Sequence, residues 1–115
     1  MLVVDADRRI RLNVLSEMAE ERFGDLVKAV VDINKKTMVV DAELHSDEEA
    51  LLMEHGSDQY DLWGINLYPE LEGDDFVEFD SMINLRPSQG NRSCGVEDTE
   101  IRNRIRSIVT ELVIR

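Results

Sequence analysis

Apolar residues along this chain recur at two spacings, and the switches between them mark out the elements. Leu2-Val3-Val4 and Ile10-Arg11-Leu12 are each long enough for a short strand. Leu15, Met18, Ala19 and Phe23 then recur at helical spacing, between a capping Asn13 and a stop at Gly24. Leu26 to Ile33 and Thr37 to Leu44 are rich in β-branched residues and flank the turn Asn34-Lys35-Lys36, which predicts a hairpin. Ser46-Asp47-Glu48-Glu49 has the form of a capping box and predicts a short helix through Ala50, Leu51 and Leu52, stopped by Gly56. Leu62 to Tyr68 predicts a third strand of the main sheet, ended by Pro69, and Phe76 to Arg86 a fourth. A polar loop from Pro87 to Gly95 leads to a closing helix capped by Asp98. Ile101, Ile105, Ile108, Val109, Leu112 and Val113 form its apolar stripe.

Successive strand residues point to opposite faces of a sheet, so parity assigns each side chain to a face. One face carries Val27, Ala29, Val31, Ile33, Met38, Val40, Ala42 and Leu44, with Trp63, Ile65, Leu67, Val77, Phe79, Ile83 and Leu85. The other carries Lys28, Asp32, Asp41, Glu43, Asn66, Glu78, Asp80, Asn84 and Arg86. One dry face and one polar face predict an α+β fold. It is a two-layer sandwich with a mostly antiparallel sheet of four to five strands and about three helices on one face. In this register Val40, Ile65, Phe79 and Ile105 share a core while Asp41, Asn66 and Asp80 point away.

Composition narrows this only a little. The 115 residues suit a single globular domain spanning 1–115, since 43% are hydrophobic. Aromatic residues are 5%, so Phe23, Trp63, Tyr68, Phe76 and Phe79 are expected to fill the core, with Tyr60 at its rim. Against 25 Asp and Glu stand 13 Lys and Arg, a formal charge of −12. That field repels phosphate backbones and anionic membrane surfaces, so neither nucleic acid nor membrane is an expected partner. The single cysteine, Cys94, excludes an internal disulfide and a Cys-cluster zinc site. No apolar run reaches a spanning or signal length, and the expected compartment is the cytoplasm.

The segments Asp61-Leu62-Trp63-Gly64-Ile65-Asn66-Leu67-Tyr68-Pro69 and Glu78-Phe79-Asp80-Ser81-Met82-Ile83-Asn84-Leu85-Arg86-Pro87-Ser88-Gln89-Gly90-Asn91-Arg92-Ser93 resemble a family of short bacterial and archaeal proteins of unknown function. Glu43-Leu44-His45 and Glu48-Glu49-Ala50-Leu51-Leu52 fit it too, and the likeness covers about residues 24 to 113. The resemblance brings no established activity with it and leaves the cofactor unknown. It does imply Arg where this chain has Cys94, which counts against a catalytic thiol.

Two regions carry candidate chemistry. Asp32, Asp41, Glu43 and Asp80 on the polar face have the oxygen ligands of a hard-cation site, but no spaced cation motif accompanies them; a solvated face with cross-strand ion pairs explains them as well, and no metal ligands are assigned. Around the end of the fourth strand, Asn66, Asp80, Asn84, Arg86, Gln89, Asn91 and Arg92 form a candidate ligand-binding set, because arginine's planar fork suits carboxylate or phosphate. The competing reading pairs Arg86 and Arg92 internally with Glu97, Asp98 and Glu100. His45 and His55, with nine residues between them, lack zinc spacing; a lone His at a strand end most often packs or caps. The favoured function is a non-enzymatic binding or interaction domain that self-associates as a homodimer, with a small anionic ligand as candidate partner. The alternative is a small enzyme acting on a phosphorylated or carboxylated substrate through Asp80, Asn84, Arg86 and Arg92.

Overall fold

The computed structural model describes residues 1–115. Its strands are β1 (Leu2–Val4), β2 (Ile10–Arg11), β3 (Val27–Asp32), β4 (Thr37–Val40), β5 (Leu62–Leu67), β6 (Val77–Glu78) and β7 (Val113–Ile114). Its helices are α1 (Leu12–Arg22), α2 (His45–Glu54) and α3 (Thr99–Leu112). Five strands form one antiparallel sheet in the order β1-β4-β3-β5-β6, and β2 pairs in parallel with β7 in a separate two-stranded ribbon. The α+β class and the antiparallel sheet follow the hydrophobic pattern. No helix is long and apolar enough to cross a membrane.

The expected dry face is the main core. Val27, Ala29, Val31, Met38, Val40, Trp63, Ile65, Leu67 and Val77 pack there against Leu15 and Ala19 of α1 and Ile105, Ile108, Val109 and Leu112 of α3. Phe79 is half-buried against the same cluster and Glu78 is exposed, so the parity predicted for these two residues holds. Asp98 caps α3, its Oδ1 accepting from the Glu100 amide at 2.8 Å. The stripe ends at Leu112, because Val113 belongs to β7.

Four expectations are corrected. First, α1 and α3 make the sandwich layer, but α2 lies across the opposite face. There Leu52, with Leu51, covers Val30, Val39 and Leu62. Consecutive apolar residues at Val30-Val31, Val39-Val40 and Leu62-Trp63 bury both faces at once, which parity read for one face alone conceals. Secondly, Ser46 does not cap α2. The helix starts at His45 after Leu44, which has no side-chain acceptor, and the Glu49 carboxylate meets Arg86 instead. Thirdly, β4 stops at Val40, where Asp41 takes a left-handed φ of 70°. Fourthly, Phe23 is exposed, with the Lys28 ammonium 5.1 Å from its ring centre.

The largest departure is the fourth strand of the main sheet. Only Val77 and Glu78 pair with β5. The chain then leaves the ladder and crosses the α2 face through a 3-10 turn at Met82–Asn84. Side-chain hydrogen bonds to backbone explain the exit, as such bonds compete with the ladder. Ser81 Oγ accepts from the Ile83 amide, and the Ser81 amide donates to Cys94 O. The crossing also needs Gly64, where a Cβ would stand 2.5 Å from Ser81 Cβ and Oγ. Ile83 therefore joins Val30, Val39 and Leu62 on the α2 face, and Leu85 is exposed.

Candidate functional site

The seven residues of the sequence-derived set divide into three groups. Asn84 is fully buried; its Oδ1 accepts from Gly64 N at 2.8 Å, while Nδ2 donates to Gly64 O at 2.9 Å and Cys94 O at 3.0 Å. Asn91 is buried too, donating to Asn84 O, Ser93 O and Gly95 O and accepting from the Glu97 amide. Arg86 lies 4.9 Å from the Trp63 ring centre and donates to Ile83 O, Leu62 O and Glu49 Oε2, with Gln89 Oε1 at 3.5 Å. Gln89 in turn reaches Tyr60 O. These four hold the loop together. Arg92 is exposed, and only its backbone amide is engaged, by Glu97.

The two arginines should therefore respond differently to truncation. Arg86→Ala strands the Leu62 and Ile83 carbonyls and one carboxylate of a mostly buried ion pair, an expected loss of about 2–4 kcal/mol in chemical denaturation. Arg92→Ala should stay within about 0.5 kcal/mol of wild type.

Asn66 and Asp80 meet residues the sequence analysis left out. They line a cleft of about 310 Å³ on the α2 face. Its floor is Lys28 and Asn66, which are direct partners across β3 and β5. One wall is the start of α2 (Leu44, His45, Ser46), the other the crossing segment from Asp80 to Ile83. Asn66 is 6% exposed; its Nδ2 donates to Glu78 Oε1 at 2.8 Å and faces Asp80 O at 3.4 Å. That assigns the amide orientation and leaves Oδ1 buried without a partner. That oxygen is shielded from solvent and lies beside the His45 ring.

His45 is buried and its Nε2 donates to Ile65 O at 2.7 Å, which makes Nδ1 the acceptor of the neutral ring. Burial is the main cause holding its pKa below the ordinary value, and the Ile65 carbonyl only partly opposes it. One helical turn on, Glu48 is fully buried with both carboxylate oxygens unpartnered. Burial pushes its pKa up to about 9; the nearby Ala42 amide and Lys28 pull the other way but lose. At neutral pH Glu48 is therefore an uncharged acid packed beneath α2. His45, Glu48 and Leu52 form the buried stripe of this helix at spacings of three and four. In the sequence, Asp47-Glu48-Glu49 looks like first-turn acid facing solvent, and only that stripe spacing could have singled out Glu48.

The proposed acidic cation face separates in space. Asp32 is buried and closes the β3–β4 turn, accepting from Asn34 N, Lys35 N and Ser57 Oγ. Asp41 and Glu43 face Arg22 at 3.1 and 3.8 Å. No three His, Cys, Asp or Glu side chains gather in a metal-holding arrangement. Cys94 Sγ is 3.7 Å from Met82 Sδ.

The fold and cleft thus define a small α+β domain with a polar cleft where a helix start meets a sheet. The family model described as "Protein of unknown function (DUF5674)" matches residues 3–112, and the chain belongs to that family. No curated protein and no solved structure matches it.

Proposed function

We propose that the protein is a non-enzymatic binding domain whose site is the cleft between the start of α2 and residues Asp80 to Ile83. The single observation that carries this reading is the convergence of Lys28, His45, Asn66 and Asp80 on one cleft of about 310 Å³. Ligand sites are typically concave and carry a few convergent polar groups. Lys28 lines the cleft with its ammonium 5.1 Å from the Phe23 ring centre, and its positive charge is in keeping with a small anionic ligand. The reading places recognition on Asn66 and Asp80 with Lys28 and His45, and leaves Asn84, Arg86, Gln89 and Asn91 to hold the wall.

The side-chain amide resonances of Asn66 report on this directly. In a heteronuclear NMR screen with small polar fragments, binders should shift the Asn66 amide and the His45 ring signals while leaving the Arg92 amide unmoved. Binders that move only the 86–93 loop would put the site elsewhere.

Self-association is supported by a separate observation. Leu44, Met82 and Leu85 are 55%, 76% and 45% exposed on this same side of the molecule. The sheet edges β1 and β6 are only three and two residues long, so face-to-face contact through these side chains suits a homodimer better than strand addition. A second copy there would lie over the cleft mouth and make ligand affinity depend on protein concentration. Met82→Lys should shift sedimentation toward the monomer; an unchanged profile for both proteins would remove this face as the contact.

A further inference from the structure

We infer that a second cleft, between α3 and the 3-10 turn at Gly73–Phe76, binds a small monocarboxylate carried on an apolar or aromatic body. This cleft shares no lining residue with the one beside α2. Helical spacing builds one wall: Val109 and Thr110 follow Arg106 by three and four residues on one side of α3, and Val113 and Arg115 continue the wall past the helix end. Glu72, Gly73 and Asp74, with Phe76 and Val77, make the other wall. Phe76, Val77, Val109 and Val113 are buried, so the floor is apolar and the rim polar. The volume, about 480 Å³, is of the size that small-ligand sites have.

The two arginines of the rim select the ligand. The Arg106 guanidinium lies 5.0 Å from the Phe79 ring centre, and that of Arg115 lies 4.6 Å from the Phe76 ring centre. Stacking orients each planar fork and occupies its face, while the N–H donors project along its edge. Neither side chain donates a hydrogen bond within the protein. Arg22, Arg86, Arg102 and Arg104, by contrast, spend donors on carboxylates or carbonyls. The one ion pair the two arginines make joins Arg106 Nε to Asp74 at 3.8 Å, and that carboxylate is 90% exposed, so water screens it. The Arg106 side chain stays 35% exposed and Arg115 is exposed, so a ligand from solvent can reach both. A chain with 25 acidic residues has ample carboxylate to pair these forks, yet leaves both uncommitted above one cleft. Oriented guanidinium forks suit an oxyanion. The floor decides which one. Inorganic phosphate has no apolar body to cover Val77, Val109 and Val113, and Glu72 and Asp74 repel a dianion more strongly than a monoanion. A carboxylate on a ring or short chain satisfies the forks and the floor together.

NMR titration of the full chain with benzoate, benzamide, acetate and inorganic phosphate tests this. Benzoate should shift the Gly73, Thr110 and Val113 amides to saturation. Benzamide lacks the charge, and acetate and phosphate lack the apolar body, so each should bind about tenfold or more weakly. Arg115→Gln removes an exposed side chain with no hydrogen bond, so its circular dichroism should match wild type while benzoate binding weakens by about tenfold. Arg106→Lys keeps the charge but not the planar fork, and should weaken benzoate as well. Any of the three controls binding as tightly as benzoate would overturn the assignment. So would indifference of benzoate to either substitution, shifts confined to Asn66 and its neighbours, or no saturable shift at all.

Discussion

Glu48→Gln is expected to make this protein more stable at neutral and alkaline pH, by about 3 kcal/mol at pH 7. The unfolded chain releases the Glu48 proton near the ordinary value of 4.5, whereas the folded chain keeps it to about 9. Between those values folding takes up a proton, so stability is fully present below pH 4.5 and is lost as pH rises toward 9. The slope is roughly 1.4 kcal/mol per pH unit, which gives the figure above at pH 7. Glutamine has nothing to titrate, so the two proteins should converge near pH 4.5 and diverge steadily above it. His45 acts in the opposite sense. Its depressed pKa gives stability that is present above the unfolded value of 6.5 and lost as pH falls below it. Both proteins share that contribution, so it cancels in their difference. Urea unfolding at pH 5, 7 and 8.5 decides the matter. A variant less stable than wild type at pH 8.5 would mean that Glu48 is ionised and paired in the folded state.

Asn84→Ala should produce the largest loss among the candidate residues, about 3–5 kcal/mol and a fall in melting temperature on the order of 10 °C. The substitution strands Gly64 N–H and Gly64 O in a buried position, leaves Cys94 O with the Ser81 amide alone, and opens a small cavity. Hydrogen exchange at the Gly64 amide should speed up with it, because that amide loses its acceptor. A variant that melts like wild type but no longer binds ligand would return Asn84 to the binding set.

These two residues mark where the amino-acid pattern was informative and where it was not. The α3 stripe, the β3–β4 hairpin, β5, the Asp98 cap and the opposite sides taken by Glu78 and Phe79 are all legible, because each depends on neighbours within a turn or two of chain. The path from Asp80 to Arg86 is not. Its alternation imitates a strand, and the residue that diverts it, Gly64, lies in another strand and acts only by having no side chain. The second buried face was written in the sequence as paired apolar residues at Val30-Val31, Val39-Val40 and Leu62-Trp63. Assigning each strand one dry side hid that signal.

The candidate site follows the same division. Asn66 and Asp80 were legible as polar residues on the sheet face away from the main core. Asn84, Arg86, Gln89 and Asn91 have the chemistry of a binding loop but use it on their own backbone, a distinction that depends on distances and not on residue type. Lys28 was placed on the correct face without being linked to a site. His45 and Glu48 became candidates only when α2 was seen to lie on the polar face, where a histidine and an acid at helical spacing turn inward.

The most direct test of the account is a crystal of the protein grown with a small polar fragment that shifts the Asn66 side-chain amide in solution. The account predicts density in the cleft, beside Asn66 and within about 3.2 Å of a polar group of Lys28, His45 or Asp80. Density seated against Arg92 instead, with only solvent beside Asn66, would contradict it.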